Sequence, residues 1–432
     1  MKRRLIVLSL DAMVYEDLEY LNTLPVFHGF LAEGSRVNRM RSIYPTVTYP
    51  AHTTMATGVY PNRHGVANNE VLAPGERASD WYWFHDAVKA PDIFDAAKQA
   101  GLTTAAVAWP VTGRHPSIDY LVDEYWPRHE EDNIRDVFLR SGTSPQLYER
   151  VVRKYAACGR LNLHPEAERL ILSCACDIIQ EYKPELLMIH ASQIDSYRHR
   201  SGVFSSLVTY GLQQAEGFLD RLITAAKNAG TYEETDFVVT SDHGQMNSAR
   251  VLHPNVLLKE AGLICTNPDG SLRSWEAWCK SAGFSVQVFL RRPEDKALYR
   301  QVYDLLCSWR DQEVYGVSQV FTTEEIDQQE HLSGDFSFVL ETDGCTAFGN
   351  DWNRPLVRAH DVTDYRFGRA THGYLPDKGP QPVFLLNGPH AKKGVVLEQG
   401  SLVDEAPTFA RLLGIDLPNT DGRCMDALLQ GV

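Results

Sequence analysis

At 432 residues and 44% hydrophobic content, the chain has enough apolar material for one large α/β domain or two ordinary ones. Its 42 basic and 56 acidic residues give a formal charge of −14, which excludes a general binding face for a nucleic-acid polymer or an anionic membrane, since both need basic surface. An anionic substrate therefore requires a locally positive pocket in an acidic protein.

The first stretch, "MKRRLIVLSLDAM", begins basic, but its apolar run is cut short by Asp11. It reads as a first β-strand and not as a signal peptide. No run of 18 or more apolar residues follows. The eight cysteines, at 158, 174, 176, 265, 279, 307, 345 and 424, form neither a CxxC pair nor a zinc-ribbon spacing. They read as reduced thiols, and the expected compartment is the cytoplasm.

Next comes "YPTVTYPAHTTMATG", residues 44 to 58, which starts like a strand end and finishes like a helix of small residues. The plain expectation for Thr48 is a helix cap, because Ser and Thr side chains accept orphan N–H groups and Pro is tolerated in a first turn. Beyond it, strand-like and helix-like runs alternate: "APDIFDAAKQAG" into "LTTAAVAW", "AERLILSCACDIIQEY" into "ELLMIHASQID", and a long helical run into "DFVVTSD". The rhythm changes between 252 and 360, then resumes with "QPVFLLNG" and "EAPTFARLLGI". The expected fold is α/β and doubly wound, a mainly parallel sheet flanked by helices. Residues 1–251 and 361–432 would form the core, and 252–360 a small inserted α+β subdomain.

Three of these strands finish in an acidic residue: Asp11, Asp195 and Asp242. Carboxyl ends of strands in open parallel sheets line the ligand crevice, so the three can converge, and three converging anions need a cation. His199, His243 and His372 lie close by in sequence. Each signal alone is weak, since among 56 acidic residues and 15 histidines an acid four places before a His should occur about twice by chance. Together they fit two sites for a borderline divalent metal, with zinc the expected ion.

The segments "LSLDAM", "YPTVTYPAHTTMATGVYPNRHG", "DSYRH", "SDHGQM" and "THGY" resemble the signature blocks of the alkaline phosphatase superfamily, and most closely those of its nucleotide pyrophosphatase/phosphodiesterase family. The resemblance implies one metal held by Asp195, His199 and His372, and a second held by Asp11, Asp242, His243 and the hydroxyl of Thr48. It implies that Asn69 donates to a phosphoryl oxygen and that Thr48 is the nucleophile, forming a covalent threonine intermediate. A cation beside a hydroxyl favours its ionisation, and the helix N-terminus behind Thr48 adds partial positive charge. Two positions depart from the pattern. Arg198 stands where the family has Gly and is expected to crowd or recharge the site's rim; Gln245 stands where it has Met.

The implied substrate is a small-molecule phosphodiester or a nucleotide with a phosphoanhydride bond. Sulfatases need a Cys or Ser in a C/S-x-P-x-R context, which no cysteine here has. A phosphomonoesterase or phosphonate hydrolase of the same superfamily is the alternative, with Lys89, Lys98 and Arg114 as candidate cations for a phosphate dianion. A non-catalytic phosphate-ester binding protein is disfavoured by the complete set of ligands. Tyr49 and the run "SDWYWFHD", residues 79 to 86, offer aromatic faces for a nucleobase, and packing under a loop is the competing role for the run.

Overall fold

The structure is a computed structural model and describes residues 2–76, 79–127, 132–156, 163–364 and 368–432. The run RLIVLSL forms β1 (Arg4–Leu10), buried along its whole length. Such a run suits a strand covered on both faces. Its alternation divides the core: Ile6, Leu8 and Leu10 pack on one side of the sheet, Leu5 and Val7 on the other.

The other strands that build the central sheet are β2 (Ser35–Arg41), β3 (Thr104–Val107), β4 (Tyr120–Val122), β5 (Leu186–Ala191) and β6 (Thr235–Thr240), with Phe384–Asn387 and Val396–Ser401. The spatial order is Val396–Ser401, β2, Phe384–Asn387, β6, β1, β5, β3, β4. All run parallel except Phe384–Asn387, which is antiparallel to both neighbours. β1 lies between β5 and β6, with Ser9 level with His190 on one side and Thr240 on the other. This register brings the carboxyl ends of three strands to one edge.

Helices Glu166–Tyr182 and Ser206–Ala229 cover one face, and Thr48–Thr57, Ile93–Gln99 and Glu405–Leu413 the other. The nucleophile-candidate helix stops at Gly58, whose φ of 70° closes the last turn in a conformation that glycine adopts without strain. Among the described residues no helix is long and apolar enough to cross a membrane.

A second sheet is antiparallel, in the order Ala277–Ser281, Ser285–Leu290, Phe338–Thr342, Val317–Thr322. Helix Lys296–Asp311 covers it through Leu298, Val302 and Leu306. This is the segment we propose as the inserted subdomain. It is joined to the core through Glu341, fully buried, which accepts from the Tyr44 hydroxyl at 2.9 Å and from Lys378.

Candidate active site

Asp11 directly follows β1, and Asp242 and His243 follow β6. Asp195 is not a strand-end residue: β5 ends at Ala191, and Asp195 sits in the first turn of helix Gln193–Ser201. One helical turn then places His199 on the same face. His372 follows the short strand Ala370–Thr371. Its successor Gly373 has φ 94°, and a Cβ there would lie 1.6 Å from the carbonyl oxygen of Ala282, so only glycine lets this loop close on the site.

The side chains gather as two triads, Asp195/His199/His372 and Asp11/Asp242/His243, each with its ligand atoms within 4.8 Å of one another. In the first, His199 Nε2 lies 3.3 Å and His372 Nε2 3.9 Å from the Asp195 carboxylate. In the second, His243 Nε2 lies 3.1 Å from Asp242 and 3.6 Å from Asp11. The rings of His243 and His372 stack at 4.1 Å, so the triads share a wall.

Two of the imidazoles are held in a definite tautomer. His199 Nδ1 donates to the carbonyl of Ala370 at 2.7 Å, and His372 Nδ1 to that of Thr46 at 3.0 Å, which turns each Nε2 lone pair inward. Each carboxylate of the second triad has one oxygen held and one bare. Asp11 Oδ2 meets His190 at 3.0 Å and Asp242 Oδ1 accepts from the Ala12 N–H at 3.2 Å, while Asp11 Oδ1 and Asp242 Oδ2 are buried without a hydrogen bond. Bare buried carboxylate oxygens opposite inward-turned imidazoles fit divalent ions.

The charges report the same strain. Burial, then repulsion from Asp242 and Asp195, pushes Asp11 well above the usual carboxylate range, and burial raises Asp242 to about 6. Burial holds His243 down at about 4 and His372 well below its ordinary value. Burial also opposes charge on Asp195 and His199, but their mutual attraction outweighs it, lowering the acid and raising the base.

Thr48 is the first helical residue, not the cap; the N-cap is Val47, whose side chain makes no capping bond. The Thr48 hydroxyl is instead 3.3 Å from His243 Nε2. The capping comes from outside: Asn69 Oδ1 accepts from the Tyr49 N–H at 2.8 Å, which fixes its amide and leaves Nδ2 available. Behind them His52 is wholly buried, its Nδ1 donating to the Thr48 carbonyl at 2.9 Å and its Nε2 accepting from Ser9 at 2.8 Å.

Two cavities flank the triads. One of about 290 Å³ is lined by Asp11, Thr48, Tyr49, Trp81, Trp126 and His164 among others. The other, about 340 Å³, includes Asn69, His199, His372, the Ala282–Gly283 turn of the second sheet, and Asn350 and Arg358 from the same 252–360 segment. Tyr49 is only 1% exposed, edge-on to Trp81 at 5.0 Å, and Trp81 meets Trp126 at 5.2 Å. The aromatic wall is thus Trp81 and Trp126 more than Tyr49.

The profile of the type I phosphodiesterase / nucleotide pyrophosphatase family matches residues 5–375. The chain belongs to this family. Human ectonucleotide pyrophosphatase/phosphodiesterase family member 5 is 22% identical over 427 residues, 96% of this chain and 75% of that protein. Human member 1 is 27% identical over 241 residues, 52% of this chain. The chain spans 22% of the length of human member 1 and 24% of rat member 3. The structure of murine ectonucleotide pyrophosphatase/phosphodiesterase 5, an inactive threonine-to-alanine variant in complex with AMP, superimposes with a TM-score of 0.69 at 19% identity, covering 99% of this chain and 100% of that one. The shared fold is of the alkaline phosphatase type.

In this member of the family, Arg198 does not recharge the rim. It is fully buried and points away from the cavities, onto Asp17 and the backbone. Lys89, Lys98 and Arg114 do not line either cavity; Lys98 pairs with Asp119, and Arg114 donates to the Arg140 carbonyl. Unforeseen were His190, His52, Trp126 and Glu124, which lies 3.6 Å from His190 Nδ1; their places come from tertiary proximity alone. A further group, His85, Asp92, Asp95 and His115, is compact enough to suggest a metal. However, His115 Nδ1 accepts from the Ser117 N–H at 3.0 Å, so Nε2 carries the proton donated to Asp92 at 2.8 Å and has no lone pair for an ion. That group is the capping network of helix Ile93–Gln99.

Proposed function

We propose that the chain is a divalent-metal-dependent phosphodiesterase that hydrolyses small phosphodiesters or nucleotide phosphoanhydrides through a covalent bond to Thr48. The observation that carries this reading is that the two triads share the His243–His372 wall and that Thr48, on the N-terminus of a helix, lines one cavity with Asp11, Asp195 and His199 and lies 3.3 Å from His243. The mixed imidazole and carboxylate donors suit zinc. Three carboxylates and two divalent ions sum to about +1, which suits a monoanionic diester.

When bound, the two ions supply positive charge that favours an ionised hydroxyl and charge on the phosphoryl oxygens. The chain's own residues do the rest. Thr48 Oγ1 forms the bond to phosphorus as the bond to the leaving oxygen breaks, and water then displaces Thr48 in a second in-line step. Asn69 Nδ2 is the side-chain donor available to an equatorial oxygen, pre-set by the Tyr49 N–H. The helix dipole adds to it. A monoesterase would need further cations: none of the three lysine and arginine candidates lines a cavity, and of the arginines that do, Arg200, Arg354 and Arg358, Arg354 pairs with Glu260 and Arg358 with Asp351.

The murine structure holds AMP. We infer a comparable nucleotide here, with its base against Trp81 and Trp126. The seven described cysteines are all free, which supports a reducing compartment such as the cytoplasm; Cys158 lies outside the described residues.

The test compares kcat/KM for an aryl nucleotide diester with that for the matching aryl monoester. A diester advantage is expected, and a monoester advantage would move the assignment to a phosphomonoesterase. Trp81→Ala should lower kcat/KM for the nucleotide diester by about 5- to 150-fold, the value of one stacked base, and barely change a methyl diester.

A further inference from the structure

We propose that Gln245 and Arg198, the two departures from the family pattern, are positioning residues that cross-tie the two triads into one unit. The inference rests on the two-ion reading above and goes beyond it.

Gln245 lies two residues after His243, on the loop that carries ligands of the second triad, and is fully buried. Its amide reaches the first triad: Nε2 donates to the Asp195 carbonyl at 3.0 Å and to Asp195 Oδ1. This leaves Oδ2 toward His199. Methionine at this position has no donor to offer.

Arg198 runs the other way. It sits beside His199 on the helix that bears two ligands of the first triad, and Nε donates to the carbonyl of Ala12 at 3.0 Å. Ala12 follows Asp11 directly and is held at φ 59°, a left-handed conformation unfavourable for alanine. Its N–H in turn donates to Asp242 Oδ1. The guanidinium also pairs with Asp17, whose carboxylate accepts from the Val14 N–H at 2.9 Å, and donates to the Val203 carbonyl. The strained turn after Asp11 is therefore fastened to the other triad's helix, and a glycine at 198 would leave it unfastened. One tie runs from each triad's element to the other's.

Bonds to the partners of metal ligands typically change metal affinity by about 10- to 100-fold. The experiment is competition for zinc between the purified full chain and a chromophoric chelator. The parent chain should bind two ions. Gln245→Met, close in volume, should bind both more weakly, the ion at the Asp195 triad by about 10- to 100-fold, while the metal-free protein still folds, its melting temperature lowered by only a few degrees through the two lost hydrogen bonds. Excess zinc should recover most of its turnover.

Arg198→Met would strand the buried Asp17 charge and fail to fold, so the informative variant is Asp17→Asn with Arg198→Met, which removes both charges. It should fold and still bind both ions more weakly, with Arg198→Lys intermediate. Folded variants that bind zinc as tightly as the parent, or that lose only the ion their own bond touches, would overturn the cross-tie. A parent chain that binds no zinc would overturn the two-ion reading itself.

Discussion

Replacing Thr48 by alanine is expected to lower kcat/KM for phosphodiesters by about a thousandfold or more, with fold and ion content close to the parent. In the proposed reaction Thr48 Oγ1 is itself the reacting atom, and in the structure its hydroxyl meets His243. It is not the helix cap, since Val47 holds that position and Asn69 caps the Tyr49 N–H from outside. Losing the hydroxyl removes one contact to His243, worth about 1 kcal/mol of stability. Thr48→Ser keeps an oxygen in place but frees its rotation, so it should retain measurable activity. Steady-state kinetics beside metal analysis separates these effects. An alanine variant as fast as the parent would make water the direct nucleophile.

Asp242→Asn should act on activity and stability in opposite directions. The amide oxygen can keep the bond from the Ala12 N–H, but the bare carboxylate oxygen is replaced by an NH2 that offers no lone pair or charge to a cation, so one ion should be lost together with roughly a thousandfold of kcat/KM, about 4 kcal/mol. In the chelated protein the sign reverses. Burial raises Asp242 to about 6, above its ordinary 3.8. Stability tied to the neutral acid is present below the lower value and is lost as pH rises through the higher. Metal-free Asp242→Asn should therefore match the metal-free parent near pH 4 and exceed it near pH 8 by about 3 kcal/mol. Denaturant melts at the two pH values check this, and equal parent and variant stability at both would refute it.

Much of the site was legible because its chemistry follows strand ends. Asp11 and Asp242 close fully buried runs that can only be central strands, and the Thr48 block carries the helix that faces them. Asp195 was misplaced because "LLMIHASQI" stays apolar beyond the strand, whereas the chain turns helical at Gln193 and the four-residue spacing to His199 is a helical one. Thr48 looked like a cap because composition marks a helix start but not which residue is half outside it. Arg198 looked like a rim residue by adjacency to His199, yet neighbours on a helix point about 100° apart, and this one turns into the core. His190, bridging toward Asp11 and Glu124, and Trp126, completing the aromatic wall, belong to elements far apart in the chain, so no local pattern announces them.

The central claim is that phosphorus passes through Thr48. Hydrolysis of a chiral phosphorothioate diester in isotopically labelled water reads this directly from the configuration of the product. Two in-line displacements, first by Thr48 and then by water, predict net retention at phosphorus. Net inversion would show a single attack by water and contradict the account.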